Sequence, residues 1–193
     1  MTFTPDRGIE IRTGKALLEK PELAAHLSTI TSLWAQMVTL LEEILGLLAG
    51  VDAITAMRLY TAIENDGAKQ AMLRALAEDK LPDNLQAELN AIFKWIREHG
   101  SSRNVVAHGV WGVSPQYPDA LFYTDVREWL NWRGTVNFAE HSLDAIHLME
   151  IMRRWPDAVG YRKDDFERTE NEILKMIDRV EVFRRDVDSF LSP

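Results

Sequence analysis

The chain has 193 residues, no cysteine, and 30 acidic against 22 basic side chains, for a formal charge of −8. That length suits a single domain spanning 1–193 with a proper core, and 46% apolar with 27% charged residues mark a folded chain rather than a disordered one. The missing cysteines exclude disulfide frameworks, thiolate zinc sites, iron–sulfur clusters and cysteine nucleophiles and fit a cytoplasmic setting, while the negative charge excludes a broad nucleic-acid surface.

The first residues, Met1 to Gly8, lack the basic-then-apolar pattern of a secretory leader. From Pro21 to Leu48 the apolar residues Leu23, Leu27, Ile30, Trp34, Met37, Leu41, Ile44 and Leu48 recur in steps of three and four, which predicts one long amphipathic helix. Pro21 suits its first turn, and Gly46 and Gly50 bracket its end. Its most apolar part, Leu33 to Ala49, contains Glu42 and Glu43, so no membrane span is expected. Asp52 is placed to cap a second helix with Ile54, Met57, Tyr60 and Ile63 on one face. Asn65-Asp66-Gly67 interrupts it before Ala68 to Ala77, and a third pattern follows Leu81-Pro82-Asp83 with Leu85, Leu89, Ile92, Phe93 and Ile96. Gly100-Ser101-Ser102 predicts a break or kink, then a short helical segment ending near Gly109.

Residues 110–137 are rich in Gly, Pro, Trp, Tyr and Thr, and Ala120 to Tyr123 and Thr135 to Phe138 have strand character. A short β-hairpin or irregular insertion is expected there. Helix resumes over Phe138 to Trp155 and stops at Pro156, with Arg153-Arg154 at its solvated end. A last helix, about Lys163 to Phe190, carries Phe166, Ile173, Ile177, Val180, Val187 and Phe190 on one side and mixed charges on the other. The expected fold is all-α: a helical bundle over 20–155 with an insertion at about 110–137, and an extra C-terminal helix over 163–191.

Five histidines, His26, His99, His108, His141 and His147, lack the Glu-x-x-His or His-x-x-x-His spacing of helical metal sites; Asp144-x-x-His147 comes nearest. No metal site and no cofactor is expected, and Gly-rich phosphate loops and nucleophile elbows are absent. His26 and His147 read as partly exposed helix residues. The segment that stands out is Ser101-Ser-Arg-Asn-Val-Val-Ala-His-Gly-Val-Trp111, in which Arg103 is followed by polar Asn104 and, after four residues, by His108.

This segment resembles the motif of the HEPN family (higher eukaryotes and prokaryotes nucleotide-binding domain), and it is expected to fall, as in that family, after two long helices and at the start of a later one. The resemblance covers about residues 20–155 and implies an HEPN-like helical bundle that is commonly a homodimer. It further implies a metal-independent endoribonuclease in a toxin, stress or defence setting, with an antitoxin as a further protein partner. Arg103, Asn104 and His108 would be catalytic, with RNA or a nucleotide in a cleft between two protomers. Some family toxins carry a Tyr two residues after the His, the target of silencing adenylylation; here Val110 occupies that position, so that route is not expected. The alternative is a non-catalytic HEPN-like dimer that binds a nucleotide or a partner protein.

The residue chemistry suits this reading. His is the side chain whose unperturbed pKa lies nearest neutrality, and Arg offers a permanent charge with a planar donor fork for phosphate oxygens. On one helix Asn104 and His108 share a face, whereas Arg103 and His108 lie about 140° apart around the axis. A two-fold dimer that sets two motifs side by side would bring them to one point. Arg127 and Arg133, interleaved with Trp129 and Trp132, are the candidate substrate contacts. A plainer reading stays open: Arg103 pairs with Glu98, and His108-Gly109 is a helix end with a left-handed glycine cap. The aromatics Trp111, Tyr117, Phe122, Tyr123, Trp129 and Trp132 either stack bases or, as favoured here, pack the insertion.

Overall fold

The computed structural model describes residues 2–5, 10–142 and 157–192, and the side chains of these except for 101–104, 107 and 138–142. In chain order the described elements are β1 (Arg12–Thr13), α1 (Ala16–Glu19), α2 (Pro21–Ala49), α3 (Ala53–Ala62), α4 (Asp66–Lys80), α5 (Asp83–His108), β2 (Val110–Ser114), β3 (Tyr117–Thr124), α6 (Val126–Ser142), β4 (Val159–Arg162) and α7 (Lys163–Leu191). The protein is mainly helical, but the expected isolated hairpin is the centre of a four-stranded antiparallel sheet ordered β1-β2-β3-β4. Chain contacts divide the molecule into two compact units, residues 1–31 with 102–170 and residues 32–101 with 171–193.

The first unit is built on the sheet. Pro115 and Gln116 turn the hairpin, Ser114 Oγ accepts the Gln116 N–H at 3.3 Å, and a register shift between Gly112 and Ser114 absorbs a turn made without left-handed residues. Gly112, Phe122 and Gly160 sit side by side across β2, β3 and β4. A Cβ on Gly112 would lie 2.3 Å from Ile11 Cγ2, and one on Gly160 would lie 2.4 Å from the Phe3 ring. The two glycines thus admit Ile11 and Phe3 onto this face, where they pack with Ala120, Phe122, Ala158 and Tyr117. Phe3 also exchanges both backbone hydrogen bonds with Gly160, at 3.2 and 2.7 Å.

The opposite face carries Trp111, Leu121, Tyr123 and Tyr161 by register. Phe166 of α7 closes on it, 5.6 Å from Tyr161 and 6.1 Å from Trp111 between ring centroids. Both faces of β3 are therefore covered, which is why Ala-Leu-Phe-Tyr runs apolar without alternation. At the start of α7 the Asp165 carboxylate accepts the Arg162 N–H at 3.1 Å, half of a capping box.

The second unit consists of helices alone. Met37, Leu40, Leu41, Ile44, Leu45 and Leu48 of α2 are buried, with Leu73 and Ala77 of α4, Leu89, Ile92 and Phe93 of α5, and Ile177, Val180, Phe183 and Val187 of α7. Among the described helices α2 alone has the length and apolar content to cross a membrane; here its apolar stripe faces the core. Gly50 at φ +68° ends it in the left-handed region, and at Gly46 a Cβ would stand 3.2 Å from Ala56 Cβ, so α3 crosses close. Asp52 caps α3 by accepting from Ile54 N and Thr55 N, each at 3.0 Å, and Asn65 caps α4 through Ala68 N at 3.0 Å.

Several expectations need correction. Only Tyr60 of the expected α3 stripe is buried, while Ile54 and Met57 are exposed, because Ala56 makes the close approach to α2. Gly100-Ser101-Ser102 lies inside α5 without a break. Thr135 to Phe138 belongs to α6, not to a strand, where Trp129, Trp132 and Val136 recur at helical spacing. Part of the charged side of α7 makes specific pairs while staying partly exposed: Arg179 bonds Glu88 of α5 twice, at 2.5 and 2.9 Å, and Arg184 lies 3.3 Å from Glu43 of α2. The helix expected to end at Trp155, with Asp144, His147 and Arg153-Arg154, lies outside the described residues beyond 142.

Candidate functional site

The motif occupies the last turns of α5, not the start of a later helix as the resemblance implies, because Gly100 to Ser102 continue the helix instead of ending it. Because the helix runs unbroken to His108, Arg103 and His108 occupy backbone positions five helical residues apart, about 140° around the axis. The Arg103 and Asn104 side chains lie outside the described residues. His108 is exposed and is the last residue of the helix. Glu98, the alternative partner for Arg103, stands 4.0 Å from Lys94.

Gly109 follows with its N–H bonded to Val105 O at 3.1 Å. Its φ is not positive, so the left-handed cap does not form. What requires glycine is the Tyr123 ring, 2.2 Å from where a Cβ would sit. Tyr123 lies in turn 5.7 Å from Trp111, and its phenol is pushed up by burial, then by Asp125 and Glu128.

The hairpin register, Val110 opposite Thr124, brings the end of α5 and the start of α6 to the same end of the sheet. There Asp125 caps α6, accepting from Arg127 N at 2.8 Å and Glu128 N at 3.4 Å. Arg127 and Arg133 are both exposed, and among the described residues neither has a carboxylate partner. Arg133 rests on the Trp129 ring, 5.0 Å from its centroid, and the buried Trp129 indole N–H has no partner among the described residues. Val126 and Leu130 are exposed beside them. Trp111 and Phe122 are buried and Tyr117 packs on Phe3 and Phe122, so these three rings serve packing.

One pairing escaped the sequence reading. His26 of α2 is partly buried, its Nδ1 2.8 Å from Glu170 Oε1, and its ring stacks on Phe166 at 6.0 Å and 6°. Its partner is 144 residues away, so no local spacing announces it. Among the described residues no group of three or more His, Asp and Glu side chains is placed to hold a metal ion. No protein-family model matches this chain, and neither the curated proteins nor the solved structures contain a match.

Proposed function

We propose that this protein is a cytoplasmic endoribonuclease of HEPN type, independent of metal, that cleaves RNA at a composite site formed by two copies of the chain. The observation that carries the reading is an exposed His108 at the end of an unbroken helix, five residues after Arg103. Arg127 and Arg133, exposed and free of carboxylate partners among the described residues, support it as phosphate contacts. The 140° divergence of Arg103 from His108 is the reason for a second copy.

In the reaction the RNA 2′-oxygen attacks the adjacent phosphorus, forming the P–O2′ bond and breaking P–O5′. One His108 imidazole takes the 2′-hydroxyl proton, and a protonated His108 of the second copy gives a proton to the departing 5′-oxygen. Arg103 stabilises the added negative charge on the phosphorane, and Asn104 orients the phosphate. The products are a 2′,3′-cyclic phosphate and a 5′-hydroxyl. The test is cleavage of a mixed RNA panel in EDTA, with product ends analysed and the oligomeric state measured beside it. Wild type should leave cyclic ends and His108→Ala should lose cleavage while keeping its helical spectrum and dimer. A folded wild-type dimer that cleaves nothing moves the conclusion to a module that binds a nucleotide or a protein partner.

A further inference from the structure

Two histidines lie on α5, and the proposed chemistry uses only His108. The other, His99, is a partly buried ring held from two sides. Its Nδ1 lies 2.9 Å from the Trp95 carbonyl oxygen, one turn back. A carbonyl can only accept, so Nδ1 carries the hydrogen and the neutral ring keeps its lone pair on Nε2. The ring also lies flat on the Trp95 indole, with centroids 4.2 Å apart and planes at 11°. Trp34 of α2 backs that indole at 6.3 Å and 25°. Hydrogen bond and stack together fix the tautomer and the plane of the imidazole. Nε2 has no hydrogen-bond partner among the described residues and is not shut away from solvent. The polar atom that the ring presents outward is therefore an oriented acceptor.

His99 stands four residues before Arg103 on the same helix, a spacing that puts two backbone positions on one face, about 6 Å apart along the axis. On the ribonuclease reading, on which this inference rests, Arg103 meets a phosphate of the RNA, so His99 lies along the strand beside it. Phosphate oxygens are acceptors and cannot satisfy Nε2. Within a sugar–phosphate strand the donor is the ribose 2′-hydroxyl, which DNA lacks. We propose that His99 is a specificity-determining residue: its Nε2 accepts a hydrogen bond from the 2′-hydroxyl of a nucleotide next to the one cleaved, and so holds ribose in preference to deoxyribose. No proton is transferred in this contact, which leaves the acid and base work to His108. The adjoining Glu98 carboxylate is 4.0 Å from Lys94, whose charge offsets its repulsion of a polyanion.

The test compares oligouridylate with oligodeoxyuridylate, which share bases and phosphates and differ only in the 2′ group. Both are titrated into the full chain carrying His108→Ala, so that the RNA stays intact, at about pH 8, where an ordinary imidazole is neutral. The RNA should bind more tightly. Adding His99→Phe keeps a ring on Trp95 and removes the acceptor. It should weaken RNA binding about threefold to tenfold, the worth of one neutral hydrogen bond, and leave DNA binding and the circular dichroism unchanged. Nitrogen-15 spectra of the His99 ring supply a readout without any substitution at that position. They should show a protonated Nδ1 and a bare Nε2 in the free chain, and the Nε2 signal should move with the RNA and not with the DNA. An RNA preference untouched by His99→Phe, equal losses for RNA and DNA, a proton on Nε2 in the free chain, or an Nε2 signal that moves with both oligomers or with neither would each overturn the proposal. Cleavage by the wild type is scored separately. Cleavage with an indifferent His99 removes this inference alone, whereas a ribose preference that depends on His99 in a chain that cleaves nothing keeps it and removes the nuclease.

Discussion

Two glycines nine positions apart on the motif segment should respond to alanine with opposite signs. Gly100 lies inside α5, and a Cβ there meets nothing within 4 Å. Gly100→Ala then removes only the backbone freedom that glycine brings to the unfolded chain, a gain of about 0.5–1 kcal/mol. At Gly109 a Cβ would fall 2.2 Å from the Tyr123 ring and 2.8 Å from Val105 O. Ordinary contact begins at 3.4 Å, so the ring must retreat by about 1.2 Å, and overpacking of this kind costs about 1–3 kcal/mol. For a chain of this size each kcal/mol moves Tm by about 2–4 °C. Thermal melts followed by circular dichroism should therefore show Gly100→Ala up by roughly 1–4 °C and Gly109→Ala down by roughly 2–12 °C.

A double-mutant cycle isolates the cause. On a Tyr123→Ala background the ring clash is gone, and the cost of Gly109→Ala should fall by about 1 kcal/mol or more, leaving the carbonyl contact. If Gly109→Ala is neutral, or costs the same with and without the Tyr123 ring, the close-approach argument is wrong. If His108 acts on RNA, Gly109→Ala should also slow cleavage, because Tyr123 and the helix end are displaced together.

Other outcomes follow from the caps and the charged contacts. Asp52→Ala should speed amide exchange at Ile54 and Thr55, whose N–H groups it accepts, whereas Asp52→Asn, which keeps an acceptor, should leave exchange near wild type. The Arg179 hydrogen bond holds the Glu88 carboxyl below its ordinary 4.5, against burial and with help from the charge of Arg179. The stability this pair adds is therefore present above pH 4.5 and lost as pH falls through the lowered folded value. Glu88→Gln should lower stability at pH 7 by less than about 1 kcal/mol, given the solvent around the pair, and the gap to wild type should close in acid. Burial, with Asp66 and Glu42, pushes the Tyr60 phenol up to about 12. Tyr60→Phe should accordingly leave the phenolate absorbance unchanged up to about pH 11, one unit below that value; a loss of absorbance near pH 10 would refute the burial.

The helices of the second unit could be read from the sequence because each carries its information locally. Leu41, Ile44 and Leu48 mark a face by spacing, Asp52 and Asn65 are capping residues by type, and Gly50 ends α2 where a left-handed residue is needed. The sheet offered less. β1 has two residues and β4 has four, one of them Gly160, too few to show alternation. β4 also finds its partner some forty positions earlier, on β3, where no local spacing announces the pairing. Thr135-Val136 misled in the other direction: β-branched residues suggested a strand, but the spacing of Trp129, Trp132 and Val136 buries a helix face, and burial outweighs propensity.

The candidate site divides along the same line. Arg103, Asn104 and His108 could be singled out because they share one short segment, whereas His26 and Glu170 meet only through the fold. Gly109 shows why a local pattern underdetermines its cause: a glycine after a helix-ending histidine is compatible with a left-handed cap or with an approaching ring, and only Tyr123, fourteen residues on, decides between them. The unbroken course of α5 has a consequence for chemistry as well. A kink at Gly100 to Ser102 would not have changed the angle between Arg103 and His108, since both lie beyond it; a continuous helix through 103–108 keeps them on different faces of one rod. If the proposed reaction uses both groups on one phosphate, it draws them from two rods, and a variant held as a folded monomer should then lose cleavage as completely as one without His108. Activity in a folded monomer would sink the composite site.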